Sequence, residues 1–79
     1  MAFYIDIVKV LEDPESADYT FSAGAGACGR LRLQKKTGSV TLIEPAPGDE
    51  RGALFGRAAH KVKTYWSRDE LPAKIVWAS

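Results

Sequence analysis

A chain of 79 residues that is 46% hydrophobic, with two Trp, three Tyr, three Phe and a formal net charge of +1, reads as one folded domain spanning 1–79. Domains rarely fall below about 50 residues, and disordered chains are poor in aromatics and strongly charged. Cys28 is the only cysteine, which excludes the intramolecular disulfides that hold most secreted domains of this size. The opening segment MAFYIDIVKV lacks a basic leader, and no apolar run approaches the ~20 residues that span a bilayer, so a soluble cytoplasmic protein without membrane contact is expected.

The first element, FYIDIVKVL, is rich in β-branched and aromatic residues. Alternation puts Phe3, Ile5, Ile7 and Leu11 on one face and Tyr4, Val8 and Val10 on the other with Asp6. Apolar residues on both faces indicate an interior strand. Asp13-Pro14-Glu15-Ser16 reads as a tight turn. DYTFS, residues 18–22, alternates again with Tyr19 and Phe21 inward, and after a glycine-rich stretch Arg30 to Gln34 alternates with Leu31 and Leu33 inward. Lys35 to Gly38 suits a hairpin loop with Gly38 left-handed. Ser39 to Glu44 forms a fourth strand, with Val40 and Leu42 inward and Thr41 and Ile43 outward.

Pro45-Ala46-Pro47-Gly48 ends the strands, because proline cannot donate to a ladder. From about Glu50, with Asp49 as N-cap, the period becomes helical. Leu54, Phe55, Ala58, Ala59, Val62, Tyr65 and Trp66 fall on one side of the wheel. Arg57, His60, Lys61, Lys63, Thr64 and Arg68 fall on the other, and Pro72 is expected to stop the helix. KIVWA, residues 74–78, has the composition of a short last strand. The fold expected is α+β: an antiparallel four-stranded β-meander, then one amphipathic helix packed on one sheet face, then a short C-terminal fifth strand placed beside the first. The core expected is Phe3, Ile5, Ile7, Phe21, Leu31, Leu33, Val40, Leu42, Phe55, Ala59, Val62, Trp66 and Trp77.

Charge runs in blocks. Residues 1–27 carry five acids and one lysine; residues 28–43 carry Arg30, Arg32, Lys35 and Lys36 with no acid. Strands that pair opposite charges produce such blocks, and so do interaction surfaces. Gly24, Gly26 and Gly29 spell G-x-G-x-x-G, yet the stretch that follows, RLRLQ, has period two. A dinucleotide fingerprint requires a helix there, because the helix N-terminus supplies the amides that hold the pyrophosphate. The glycines therefore read as a turn between strands.

No catalytic set emerges. His60 stands alone on the polar side of the helix, no spacing joins it to Cys28, and one Cys with one His falls short of a metal site. Asp13 with Glu15 and Asp49 with Glu50 are turn carboxylates without an apolar pocket to shift them. The expectation is no enzyme, no cofactor and no metal. Two binding readings stand. In the first, the sheet face away from the helix presents Tyr4, Val8, Val10, Thr20, Thr41, Ile43 and Val76, mixed with Arg30 and Arg32, to another protein or to a second copy. In the second, Arg30, Arg32, Lys35 and Lys36 join Arg57, Lys61, Lys63 and Arg68 to bind nucleic acid. A sequence pI of about 7.9 and the lack of exposed aromatic platforms on RLRLQ make this the weaker reading.

Overall fold

Residues Tyr4–Glu12 form strand β1, Ser16–Ser22 β2, Cys28–Gln34 β3 and Val40–Glu44 β4; helix α1 covers Ala53–Ser67 and strand β5 Lys74–Ala78. These elements come from a computed structural model that describes residues 4–24 and 28–78; Phe3 and Gly26 lie outside the described residues. The five strands make one antiparallel sheet in the order β4-β3-β2-β1-β5, so the fold is α+β. The meander holds for the first four strands. The fifth leaves chain order and lies beside β1, which makes β1 an interior strand.

One side of the sheet carries the core. Ile5, Ile7, Tyr19, Phe21, Leu31, Leu33 and Ile75 are buried in one cluster with Ala58 and Val62 of the helix, and Phe55, Tyr65 and Trp66 pack at its edge. Burying a side chain such as Val62 contributes about 1.5–3 kcal/mol, a large share of what a domain this small can hold. Ala46, between β4 and the helix, is also buried. Trp77 and Val40 are only partly covered, and Leu42, expected inside, is among the exposed hydrophobics because it lies on an edge strand.

A β-bulge rearranges the end of β1. Pairing with β2 runs Val8↔Thr20 and Lys9↔Tyr19, then resumes as Leu11↔Asp18 and Glu12↔Ala17. One inserted residue reverses the alternation beyond it. Leu11, expected on the core side, is therefore 54% exposed on the other face. Glu12 moves to the helix side, where Lys9 and Lys35 donate hydrogen bonds to its carboxylate. These two ammonium groups, Lys35 foremost, bring its pKa from 4.5 to about 2.

The turns follow from particular side chains. The Asp13 carboxylate accepts from the Glu15 and Ser16 amides at 2.8 and 2.7 Å. Gly38 is left-handed, at φ +76°, as expected of the hairpin. A side chain there would also collide with the Trp66 ring, whose Nε1 donates to the Lys35 carbonyl at 2.7 Å. Gly29 serves close approach rather than a turn: it sits within β3, and a Cβ would meet the Phe21 ring and the Ala46 amide.

Both helix ends differ from the expectation. The helix starts at Ala53 after a left-handed Gly52, while the Asp49 carboxylate reaches forward to accept from the Leu54 and Phe55 amides at 3.0 and 3.1 Å. Asp49 thus caps the first turn from outside the N-cap position. At the other end the helix stops at Ser67, well before Pro72. Asp69 is left-handed at φ +59°, its amide donates to the Trp66 carbonyl and the Glu70 amide to the Tyr65 carbonyl. This is a Schellman closure, and it terminates the helix by itself. Pro72 instead supplies the carbonyl that accepts from the buried Tyr19 hydroxyl at 2.7 Å; burial pushes that phenol up to about 12.

Candidate interaction surface

The alternation that buries Leu31 and Leu33 turns Arg30 and Arg32 to the face without the helix. Strand register then defines that face row by row. Glu44, Arg30, Thr20, Val8 and Lys74 lie across one row; Thr41, Arg32, Asp18 and Leu11 lie across the next; Cys28, Ser22, Asp6 and Val76 make the row on the other side, with Tyr4 beyond it. Ile43 is the extra residue of a second bulge, where pairing passes from Arg30↔Glu44 to Leu31↔Leu42.

At the centre of this face is a residue not singled out from the sequence. Asp18 is 1% exposed although it lies away from the helix-side core. Two guanidinium groups cover it. Arg30 donates from Nε and Nη2 to Oδ2 at 3.1 and 2.7 Å. Arg32 donates from Nε to Oδ1 at 2.8 Å and from Nη2 to Oδ2 at 3.2 Å. Charge-assisted bonds of this kind favour the ionised carboxylate, and the Arg32 bond, with Arg30 behind it, holds Asp18 below its usual pKa despite the opposing effect of burial. The trio carries one excess positive charge. Four nitrogens are used on Asp18, and Nη1 of each arginine remains beyond these bonds, on side chains 37% and 41% exposed.

Beside this polar centre the face carries apolar side chains, most of them on β1, among Asp6, Glu44, Lys74, Thr20 and Ser22. Tyr4, Val8, Val10, Leu11 and Val76 are all exposed, and Ile43 and Thr41 are exposed along the β4 edge. The bulge in β1 matters here, because it adds Leu11 to the strip already formed by Val8 and Val10. Register alone could have revealed Asp18 and Leu11, since both depend on which residues pair across strands.

The cations considered for nucleic acid divide between two sides of the molecule. Arg30 and Arg32 lie on the open face and are engaged with Asp18; Lys35 is bound to Glu12 at 2.7 Å. Arg57 stacks over the Trp77 ring at 5.1 Å, and Lys61 lies 6.0 Å from the Tyr65 ring centre. Lys63 is exposed on the helix, Arg68 at its C-cap and Lys36 on the hairpin loop. The sheet separates the helix cations from the arginine pair. The same holds for Cys28 and His60: register puts the exposed thiol on the open-face row, and His60 is exposed on the helix.

A cleft of about 290 Å³ lies on the helix side between Glu12, Lys35, Trp66, Asp69, Glu70 and Leu71. Among the described residues no three His, Cys, Asp or Glu side chains are grouped to hold a metal ion, and no helix is long and apolar enough to cross a membrane. Comparison with protein-family models, with curated proteins and with solved structures finds no match to this chain.

Proposed function

We propose that this protein is a non-catalytic protein-interaction module that receives another protein chain on its open sheet face. One observation carries the reading: Tyr4, Val8, Val10, Leu11 and Val76 are exposed on one face of the two adjacent strands β1 and β5, with Asp6 among them. Isolated surface hydrophobics are ordinary, but a cluster of exposed apolar side chains with charges among and around them is the composition of an interface. The arginine pair strengthens it. Arginine and tyrosine contribute disproportionately to binding, and guanidinium groups already held by Asp18 lose little side-chain entropy on contact. No cofactor is needed, and a cytoplasmic setting fits the lone exposed thiol of Cys28. A continuous phosphate track is less favoured, because three of the four cations on β3 and its hairpin are engaged with acids.

The test compares the wild type with Val8→Lys and Tyr4→Glu, by sedimentation equilibrium and by cross-linking in the cells that make the protein. The expected result is a complex, with itself or with another chain, that both substitutions abolish at an unchanged melting temperature. A wild type that forms no complex sensitive to either substitution overturns the reading.

A further inference from the structure

We propose that the chain seated on the open face is a second copy of the same protein, related by a two-fold axis that sets the Arg30/Arg32 pair of each copy on Asp6 of the other. The inference rests on the interface reading above and adds the identity and orientation of the partner.

The argument is one of self-complementarity. A two-fold interface requires that whatever residue i contacts on the partner contacts i in return. The open face holds both halves of such a contact. At β2 and β3 the trio of Asp18, Arg30 and Arg32 has an excess positive charge with Nη1 of each arginine beyond its bonds to Asp18. At β1 the same face holds Asp6, a carboxylate flanked along its strand by Tyr4 and Val8 and across the strand pair by Val76. An apolar surround of this kind strengthens a charged contact once a partner excludes water. The six charged residues assigned to the face, Asp6, Asp18 and Glu44 against Arg30, Arg32 and Lys74, cancel, so two such faces approach without net repulsion.

The geometry is consistent with sheet packing. With strands about 4.8 Å apart and residues about 3.3 Å apart, the arginine pair and Asp6 are separated diagonally by roughly 14 Å. A two-fold axis lying in the plane between the two faces, and bisecting that diagonal, makes both ionic contacts at once. It also crosses the strands of the two sheets at close to a right angle, one of the two arrangements in which sheets stack face to face. Val8 then lies near the axis, and Tyr4 falls over the β4 edge of the other copy, at Thr41 and Ile43. A face five strands wide and about seven residues long has a footprint of roughly 24 by 23 Å, of the order that an interface of about 800 Å² per partner occupies.

Charge reversal tests it. Sedimentation equilibrium of the full chain is run from about 10 µM to about 1 mM on the wild type, on Asp6→Arg, on Arg30→Glu and on an equimolar mixture of the two variants, each checked by its melting temperature. The wild type is expected to dimerise, and either variant alone to associate at least tenfold more weakly. The mixture is expected to recover association, since the arginine introduced in one variant then meets the glutamate introduced in the other. Asp6→Asn, which leaves Asp18 and both arginines untouched, keeps the test valid should Arg30→Glu fail to fold; it is expected to weaken the dimer. A wild type that stays monomeric to the highest concentration overturns the inference. So does a dimer indifferent to Asp6→Arg and Asp6→Asn, and if that dimer is still lost with Val8→Lys, the open face remains an interface in a different arrangement.

Discussion

Asp18 shows how one residue can acquire a role that its neighbours in sequence do not reveal. It stands in ADYTFS between an alanine and a tyrosine that are both buried, and its own burial depends on two arginines that lie 12 and 14 residues away. Because the folded protein depresses its pKa, Asp18 adds stability that is fully present above the unfolded value of about 3.9 and is lost as pH falls through the lower folded value. Glu12, brought to about 2, acts in the same direction, though its exposure to solvent weakens its share. Asp18→Asn is therefore expected to lose roughly 1–3 kcal/mol at neutral pH. It should also flatten the acid limb of a melting-temperature titration below pH 4 or so. An unchanged acid limb in Asp18→Asn would show that Asp18 is not held ionised by Arg30 and Arg32. Here the residue types in the sequence were informative and their partners were not, since side chains on adjacent strands meet only once register is set.

Elements were more legible than partners, and their ends less legible than their middles. Five strands and one helix follow from the switch of period from two to 3.6, a signal spread over many residues. Boundaries depend on a few hydrogen bonds each. Pro72 looks like the helix stop because proline cannot continue a helix, but a left-handed Asp69 closes it earlier with its own amide and that of Glu70. An aspartate in this conformation carries the Cβ penalty that glycine avoids. Asp69→Gly is expected to stabilise the protein by about 0.5–1 kcal/mol, raising the melting temperature by several degrees. A lower melting temperature in this variant would mean that the Asp69 side chain contributes more than its backbone costs. The bulges in β1 and β4 are a second case. Each inserts a residue and reverses alternation beyond it, so Leu11, inward by counting, faces outward.

For the molecule as a whole, stability rests on one core between a single helix and one face of the sheet. Val62 and Ala58 are the helix residues fully buried there. A single core in a domain this small contributes little more than about 3–5 kcal/mol net, and an unpaired buried charge costs several kcal/mol. Val62→Asp is accordingly expected to unfold the protein, read as loss of the cooperative thermal transition and of the tertiary circular dichroism signal. Persistence of a native-like melt would show that the helix does not bury this position. The uncovered face has the opposite consequence. With one helix and five strands, the described residues supply no second layer for Tyr4, Val8, Leu11 and Val76; in the function proposed above another protein chain covers them. Disrupting that face should change association while leaving the melt of the single chain intact, which separates it from the core.

Read alone, the order of amino acids specifies the class of fold, the inward residues in the middle of each strand, the helix stripe and the left-handed hairpin glycine. These depend on local periodicity and on the conformational preferences of single residues. Tertiary structure was needed for the pairing of Asp18 with Arg30 and Arg32, the exposure of Leu11, the cluster of Glu12 with Lys9 and Lys35, and the use of Gly29 to admit Phe21. Each of these results from strand register, and register is settled by bulges and cross-strand packing among residues far apart in the chain.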